Sequence, residues 1–227
     1  MSPPVISLTN VRLSLPSRAG MLDILRGIDL AVASGEAVGI VGPSGSGKTT
    51  LLMVVAGLEK ISSGKVIVLG NDLSDKNEDE LAVFRRDAVG IVFQSFHLIP
   101  TMTAIENVAV PLEFSRRGNA MDVSKRHLAR VGLAERADHY PGQLSGGEQQ
   151  RVAIARALAS GAKLILADEP TGNLDQETGA TIIELLFALQ RQHETTLLLI
   201  THDREVAARC DRIVELRDGH IVSGLSP

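Results

Sequence analysis

Val38-Gly39-Ile40-Val41-Gly42-Pro43-Ser44-Gly45-Ser46-Gly47-Lys48-Thr49-Thr50 is the stretch that decides the fold. Val38–Val41 reads as a buried strand, the glycine-rich segment as a loop, and Lys48 as the opening of a helix that stops near Gly57. From Gly42 to Thr49 the spacing is G-x-x-x-x-G-K-[ST]. The glycines let backbone N–H groups turn inward around phosphate oxygens without a Cβ clash, and the helix N-terminus adds partial positive charge. Gly42, Pro43, Ser44, Gly45, Ser46, Gly47, Lys48, Thr49 and Thr50 are therefore the candidate nucleotide-binding residues. Lys48 can reach the terminal phosphates, and the Thr49 hydroxyl can ligate Mg²⁺.

Outward from this loop, short Val/Ile/Leu runs alternate with helical patterns, which reads as α/β with a buried parallel sheet. The expected strands are Val5–Leu8, Ile28–Val32, Ala37–Val41, Val66–Leu69, Val89–Phe93, Leu164–Ala167, Thr196–Ile200 and Ile213–Leu216. His220–Val222 should return as a hairpin across Asp218-Gly219. A helix after Thr178 carries Ile182, Leu185, Leu186 and Leu189 as one apolar stripe, and another runs from Gln149 to Leu158. Ile99–Gln143 has no convincing buried strand and two helical patterns, so it reads as a helical insertion. The expected organisation is one domain over residues 1–227. Its α/β core and β-subdomain cover 1–98 and 144–227, and the helical insertion covers about 99–143.

Composition sets the outer limits. The 227 residues are 44% hydrophobic and 22% charged, an ordinary globular balance; at 3% aromatic, the core must be aliphatic. A formal net charge of -4 argues against nucleic acid as a partner. The basic group Arg116, Arg117, Lys125, Arg126 and Arg130 reads as a solvated helix face in preference to a docking surface. The single Cys210 excludes an intramolecular disulfide and reads as a small buried hydrophobe. No run approaches the roughly 18 apolar residues of a membrane span, and Met1–Asn10 lacks the pattern of a signal peptide. A cytoplasmic protein, or one held at a membrane by a partner, is expected.

Leu164-Ile165-Leu166-Ala167-Asp168-Glu169 is an apolar strand ending in two adjacent carboxylates, at the sheet edge where α/β ligands bind. Asp168 is the candidate metal residue, acting mostly through water, and Glu169 the candidate general base. Two acids after a strand are also a common helix cap; the glycine-rich loop upstream favours the catalytic reading. The loop alone does not separate kinases, GTPases and ATPases.

Leu144-Ser145-Gly146-Gly147-Glu148-Gln149-Gln150-Arg151 makes that separation, because it resembles the ABC ATPase signature. Ser145 and the Gly146-Gly147 backbone open a helix and form a second anion-binding nest. The resemblance implies a P-loop ABC nucleotide-binding domain, with a RecA-like parallel-sheet core, an antiparallel β-subdomain and an inserted helical subdomain. It also implies a head-to-tail homodimer in which ATP lies between the loop of one copy and Ser145, Gly146, Gly147 and Glu148 of the other.

By the same resemblance, Gln94 matches the glutamine that contacts Mg²⁺ and the attacking water, and Asn173-Leu174-Asp175 matches the segment that crosses the dimer interface, with Asp175 at it. His202 matches the histidine that contacts the γ-phosphate. The catalytic set implied is Glu169, His202, Gln94 and Lys48, and the metal set is Thr49, Gln94 and Asp168.

Phe93–Pro100, Thr103–Val108, Ala167–Asp175 and Thr201-His202-Asp203 resemble the LolD/MacB/FtsE branch of the family. Gln94–Pro100, Ser145–Arg151 and Ala207–Arg212 resemble its YbbA-type proteins. This implies an ATPase at the cytoplasmic face of the inner membrane, driving an FtsX/MacB-like permease. Export or extraction of hydrophobic or lipid-linked cargo, or force transmission without transport, are the activities implied. The alternative is a soluble regulatory ABC ATPase; the coiled-coil insertions, zinc modules or tandem domains of such relatives have no room here. One feature departs from the family: its usual aromatic for adenine stacking is missing from Val11-Arg12-Leu13-Ser14-Leu15-Pro16.

Overall fold

A computed structural model describes residues 3–17, 20–115 and 118–225. In chain order these form β1 (Ile6–Ser17), β2 (Gly20–Val32), β3 (Ala37–Val41), α1 (Lys48–Val55), β4 (Ser63–Val68), β5 (Asn71–Asp72), α2 (Glu78–Ala88) and β6 (Val89–Phe93). There follow α3 (Ala104–Phe114), α4 (Ala120–Arg130), α5 (Gly146–Ala159), β7 (Leu164–Asp168), α6 (Gln176–Gln192), β8 (Thr196–Ile200), α7 (Arg204–Ala207), β9 (Arg212–Arg217) and β10 (His220–Leu225). The chain divides into two compact units, residues 1–85 with 196–227, and residues 86–195.

The first unit holds two sheets. One is antiparallel, in the order β2-β1-β4-β5. In the other, β3 pairs in parallel with β8 on one side and β9 on the other, and β10 closes the edge antiparallel to β9. Every residue of β3 and β8 is buried, which is why these strands read as unbroken apolar runs. Gly39 lets α7 sit close on β3: a Cβ there would meet Cys210 Sγ at 3.3 Å and Ala207 Cβ at 3.4 Å. Cys210 is 3% exposed, a small buried hydrophobe as expected.

In the second unit β6 and β7 pair in parallel, and α5 packs against β6 and against α3, α4 and α6. The approach of α5 to β6 is possible only at glycine, since a Cβ on Gly90 would stand 2.2 Å from the Ala157 carbonyl oxygen. α3 starts with a capping box between Thr103 and Glu106. Asn107, fully buried in it, bonds Ile99 N and the carbonyls of Ile99, Met102 and Thr103, tying the preceding loop to the helix.

The expected strands all form; β4 and β10 run three residues beyond their expected bounds, β5 was not expected, and the largest extensions are in β1 and β2. β1 and β2 make a long hairpin of 12 and 13 residues. Register shifts near Leu8/Val11 and Leu13/Ser14 break the two-residue alternation of β1, and the first four residues of β2 are exposed. α2 is a charged surface helix with only Leu81 and Phe84 buried; the reciprocal Asn77–Glu80 cap at its start was its sequence signal. Of the basic group, Lys125, Arg126 and Arg130 are exposed on α4, while Arg116 and Arg117 lie outside the described residues.

Candidate functional site

Five helices begin with a side-chain cap: Asn77 on α2, Thr103 on α3, Ser145 on α5, Asp175 on α6 and Asp203 on α7. α4 has none, but carries Asp122 in its first turn. α1 has neither. Its N-cap is Gly47 at φ 100°, no side chain caps it, and its first turn holds no acidic residue. The N–H groups opening α1 are thus left for an external anion. Gly42 is required just ahead of them: at φ 152°, its hydrogen faces the Leu216 carbonyl oxygen, 2.0 Å from where a Cβ would lie.

Lys48 Nζ folds back over this loop and donates to the carbonyl oxygens of Gly42 and Pro43, both at 2.9 Å. Ser46 Oγ is buried without a hydrogen-bond partner. An orphaned hydroxyl, an uncapped helix and a lysine spanning the loop are what a polyphosphate would satisfy. The residues present therefore fit the phosphates of a nucleotide. Ser44, Gly45 and Thr49 are exposed, and Thr50 is half-buried. In the same unit His202 stands exposed after β8, between the buried Thr201 and Asp203. Thr201 Oγ1 accepts from Asp203 N at 3.0 Å, and the Asp203 carboxylate caps α7. These bonds fix the backbone on both sides of His202.

The second unit gathers the other candidates. Asp168 ends β7, and Glu169 follows in the left-handed region at φ 46°, its carbonyl accepting from Gly172 N at 3.0 Å. A non-glycine residue in that region carries backbone strain, which aims Glu169 away from the path of the strand. Gln94 follows β6 directly and is hydrogen-bonded to Asn173. Gln150, fully buried on α5, donates through Nε2 to Pro170 O at 2.6 Å and Phe93 O at 3.4 Å. One side chain of α5 thus ties the segment after β6 to the segment after β7.

Ser145 and Glu148 form a capping box: Ser145 Oγ accepts from Glu148 N at 3.3 Å, and the Glu148 carboxylate accepts from Ser145 N at 2.8 Å. Those bonds, with Arg136 3.2 Å from Glu148, hold the Glu148 carboxyl below the usual glutamate range, the Ser145 N–H being the largest cause. Gly146 and Gly147 follow in the first turn. Asp175 Oδ1 accepts from Thr178 N at 2.9 Å as the cap of α6, so its carboxylate also has a structural task within the chain.

Sequence reasoning missed Arg136 and Arg156, and it placed Asn173 in the interface segment without its contact to Gln94. Asn173 holds Gln94, Arg136 holds Glu148, and Arg156 binds the loop after Gln94. Asn173 and Arg136 lie in loops and turns whose geometry leaves no period; Arg156 interrupts the apolar face of α5, which was a readable signal.

An uncapped glycine-rich loop before a helix, a strand ending in two carboxylates and a serine-capped Ser-Gly-Gly helix define the nucleotide-binding cassette class. The comparisons agree. The sequence pattern described as ABC transporter matches residues 25–172, and the chain belongs to the ABC transporter family as its ATPase component. It is 47% identical over 219 residues to the ABC transporter ATP-binding protein YbbA of Escherichia coli (strain K12), covering 96% of each chain. It is 43% identical over 221 residues to the macrolide export ATP-binding/permease protein MacB of Shigella flexneri, covering 96% of this chain and 34% of that one. The chain therefore spans about a third of the length of that fused relative. The dimeric structure of a post-hydrolysis state of the ATP-binding cassette MJ0796, bound to ADP and Pi, superposes with a TM-score of 0.90 at 41% identity, covering 97% and 98% of the two chains. The α/β cassette fold, with its parallel sheet, antiparallel sheet and helical segment, is thereby shown.

Proposed function

We propose that the chain works as a nucleotide-sandwich homodimer at the cytoplasmic face of the inner membrane, driving an FtsX/MacB-like permease. The observation that carries the reading is the loop Gly42–Thr49, with its uncapped helix, buried orphan Ser46 hydroxyl and Lys48 held on the Gly42 and Pro43 carbonyls. The reported dimeric state of the ADP- and Pi-bound cassette MJ0796 supports the homodimer, and the joined ATP-binding/permease relative supports a membrane partner. No described helix is long and apolar enough to cross a membrane, so this reading leaves the spanning segments to that partner. Residues 99–143 are proposed as the helical insertion that meets it, and residues 1–98 and 144–227 as the core.

In this reading Gly42–Thr50 hold the triphosphate, and Lys48 leaves the Gly42 and Pro43 carbonyls for the terminal phosphates. Ser145, Gly146, Gly147 and Glu148 of the second copy close on the same nucleotide, with Asp175 at the interface. Glu169 accepts the proton of the attacking water, Gln94 orients that water, and His202 bonds the γ-phosphate. Thr49, Gln94 and Asp168 are all oxygen donors, which suits Mg²⁺, and would hold it. When bound, the ion neutralises charge on the phosphate oxygens. Hydrolysis removes the phosphate bridge between the copies, and the dimer reopens.

The test is to capture the Glu169→Gln chain in Mg-ATP from detergent-solubilised membranes. A multi-span permease with a large extracytoplasmic domain should accompany it. Recovery of soluble proteins, ribosomes or nucleic acid alone would overturn the permease assignment and leave the ATPase.

A further inference from the structure

Gln94 and Asn173 are joined by two hydrogen bonds of opposite direction. Gln94 Nε2 donates to Asn173 Oδ1 at 3.1 Å, and Asn173 Nδ2 donates to the Gln94 carbonyl oxygen at 3.0 Å. The pair fixes both amides. Asn173 must turn its NH₂ to the carbonyl, so its oxygen faces the Gln94 side chain, and only the NH₂ of Gln94 can complete the ring. Gln94 Oε1 is consequently the atom left for another ligand, and an amide oxygen is what a hard cation or a water proton takes.

The surroundings are built for this contact. A Cβ on Gly172 would lie 2.6 Å from Gln94 Nε2 and 2.8 Å from Cδ, so the neighbour of Asn173 must be glycine for Gln94 to lie where it does. The same turn begins at Glu169, whose carbonyl accepts from Gly172 N, and closes with Leu174 N on Thr171 O. Gln150 bonds the carbonyls of Phe93, which precedes Gln94, and of Pro170, in the segment that leads to Asn173. Asn173 therefore connects the turn that carries Glu169 to the side chain of Gln94.

We infer that Asn173 is a positioning residue for Gln94: it selects the amide orientation that presents Oε1 to the cation and the attacking water, and couples that orientation to the Glu169 turn. The inference rests on the role given to Gln94 above. Both side chains are exposed, so each bond competes with water and the expected effects are moderate.

A double-mutant cycle of Asn173→Ala and Gln94→Ala, read in the full chain, tests it. Asn173→Ala should lower kcat roughly 3- to 10-fold and raise the Mg²⁺ concentration for half-maximal activity, with unchanged nucleotide affinity and melting temperature. In the Gln94→Ala background it should do nothing more. An equal loss in both backgrounds, or no loss while Gln94→Ala itself is impaired, overturns the inference. If Gln94→Ala is fully active, it is the reading of Gln94 that fails. A second measurement needs no turnover: in the nucleotide-free chain, Asn173→Ala should shift the Gln94 side-chain NH₂ resonances and speed their exchange. Unchanged resonances would overturn the latch on their own.

Discussion

Arg156, in the last turn of α5, donates through Nη2 to the Phe96 carbonyl at 2.8 Å and through Nη1 to the His97 carbonyl at 2.6 Å. Both acceptors sit in the left-handed region, at φ 59° and φ 49°, a conformation that non-glycine residues rarely adopt in succession. The guanidinium is what makes that double turn affordable. Burial pushes its pKa below the ordinary arginine value, yet two carbonyls satisfy its donors. The helix that opens at Ser145 and the loop that follows Gln94 are thereby one mechanical piece.

Arg156→Met should keep the apolar stem, lose both bonds, and leave two strained carbonyls without their donor. A stability loss of about 2 kcal/mol is expected, read as the shift of a denaturant midpoint. Limited proteolysis should then cut first between Ser95 and Pro100. A variant as stable and as resistant as the native chain would show that the loop holds itself.

Glu169→Gln preserves shape and removes the proposed base. Hydrolysis should fall by about 10²–10⁴-fold, with nucleotide binding retained. Size exclusion in Mg-ATP should give a dimer that the native chain shows only transiently. A monomer at saturating Mg-ATP would contradict the sandwich arrangement.

How far the sequence was readable follows from what each element leaves behind in it. β3, β7 and β8 are buried on both faces, so each was an apolar run with sharp ends. The glycine-rich loop was readable because its chemistry fixes residue types at fixed spacings. The outer half of the β1–β2 hairpin was missed because its bulges break the alternation, and α2 because it buries only two side chains. The Gln94–Asn173 pair joins positions 79 apart in the chain, and neither residue type signals the other. Contacts of that kind are set by tertiary packing, here by α5 through Gln150 and Arg156.

His127 on α4 gives a pH prediction with a definite sign. Burial is the largest cause of its lowered pKa, followed by the nearby charges of Arg130, His193 and Arg126; together they bring it to about 4 from 6.5. Between those values the unfolded chain binds the proton and the folded chain does not, so stability falls as pH drops from about 6.5 toward 4. The site is partly open to solvent, which weakens the effect. Replacing the titrating ring, as in His127→Gln, should flatten the dependence of the denaturant midpoint between pH 7 and pH 5. An unchanged slope would assign the acid sensitivity to other groups.

Leu15 lies in Val11–Pro16, the stretch that lacks the aromatic expected from the family resemblance. It pairs with Leu22 across the hairpin, and further along β2 the Ile24 carbonyl and Leu25 side chain lie against Gly47, each 3.1 Å from where a Cβ there would be. The hairpin that carries Leu15 thus reaches the start of α1, where the phosphates are expected. An aliphatic side chain buries area against a base but offers no ring to stack, and a base–aromatic stack contributes ~1–3 kcal/mol. Leu15→Tyr should therefore tighten ATP binding by roughly tenfold, with the gain appearing in Kd and KM and kcat little changed. Fluorescent-nucleotide titration with ATP and GTP as competitors measures both the gain and the base preference. Identical affinities in the two chains would mean that Leu15 does not face the base, and that the hairpin grips the nucleotide elsewhere or leaves its base in solvent.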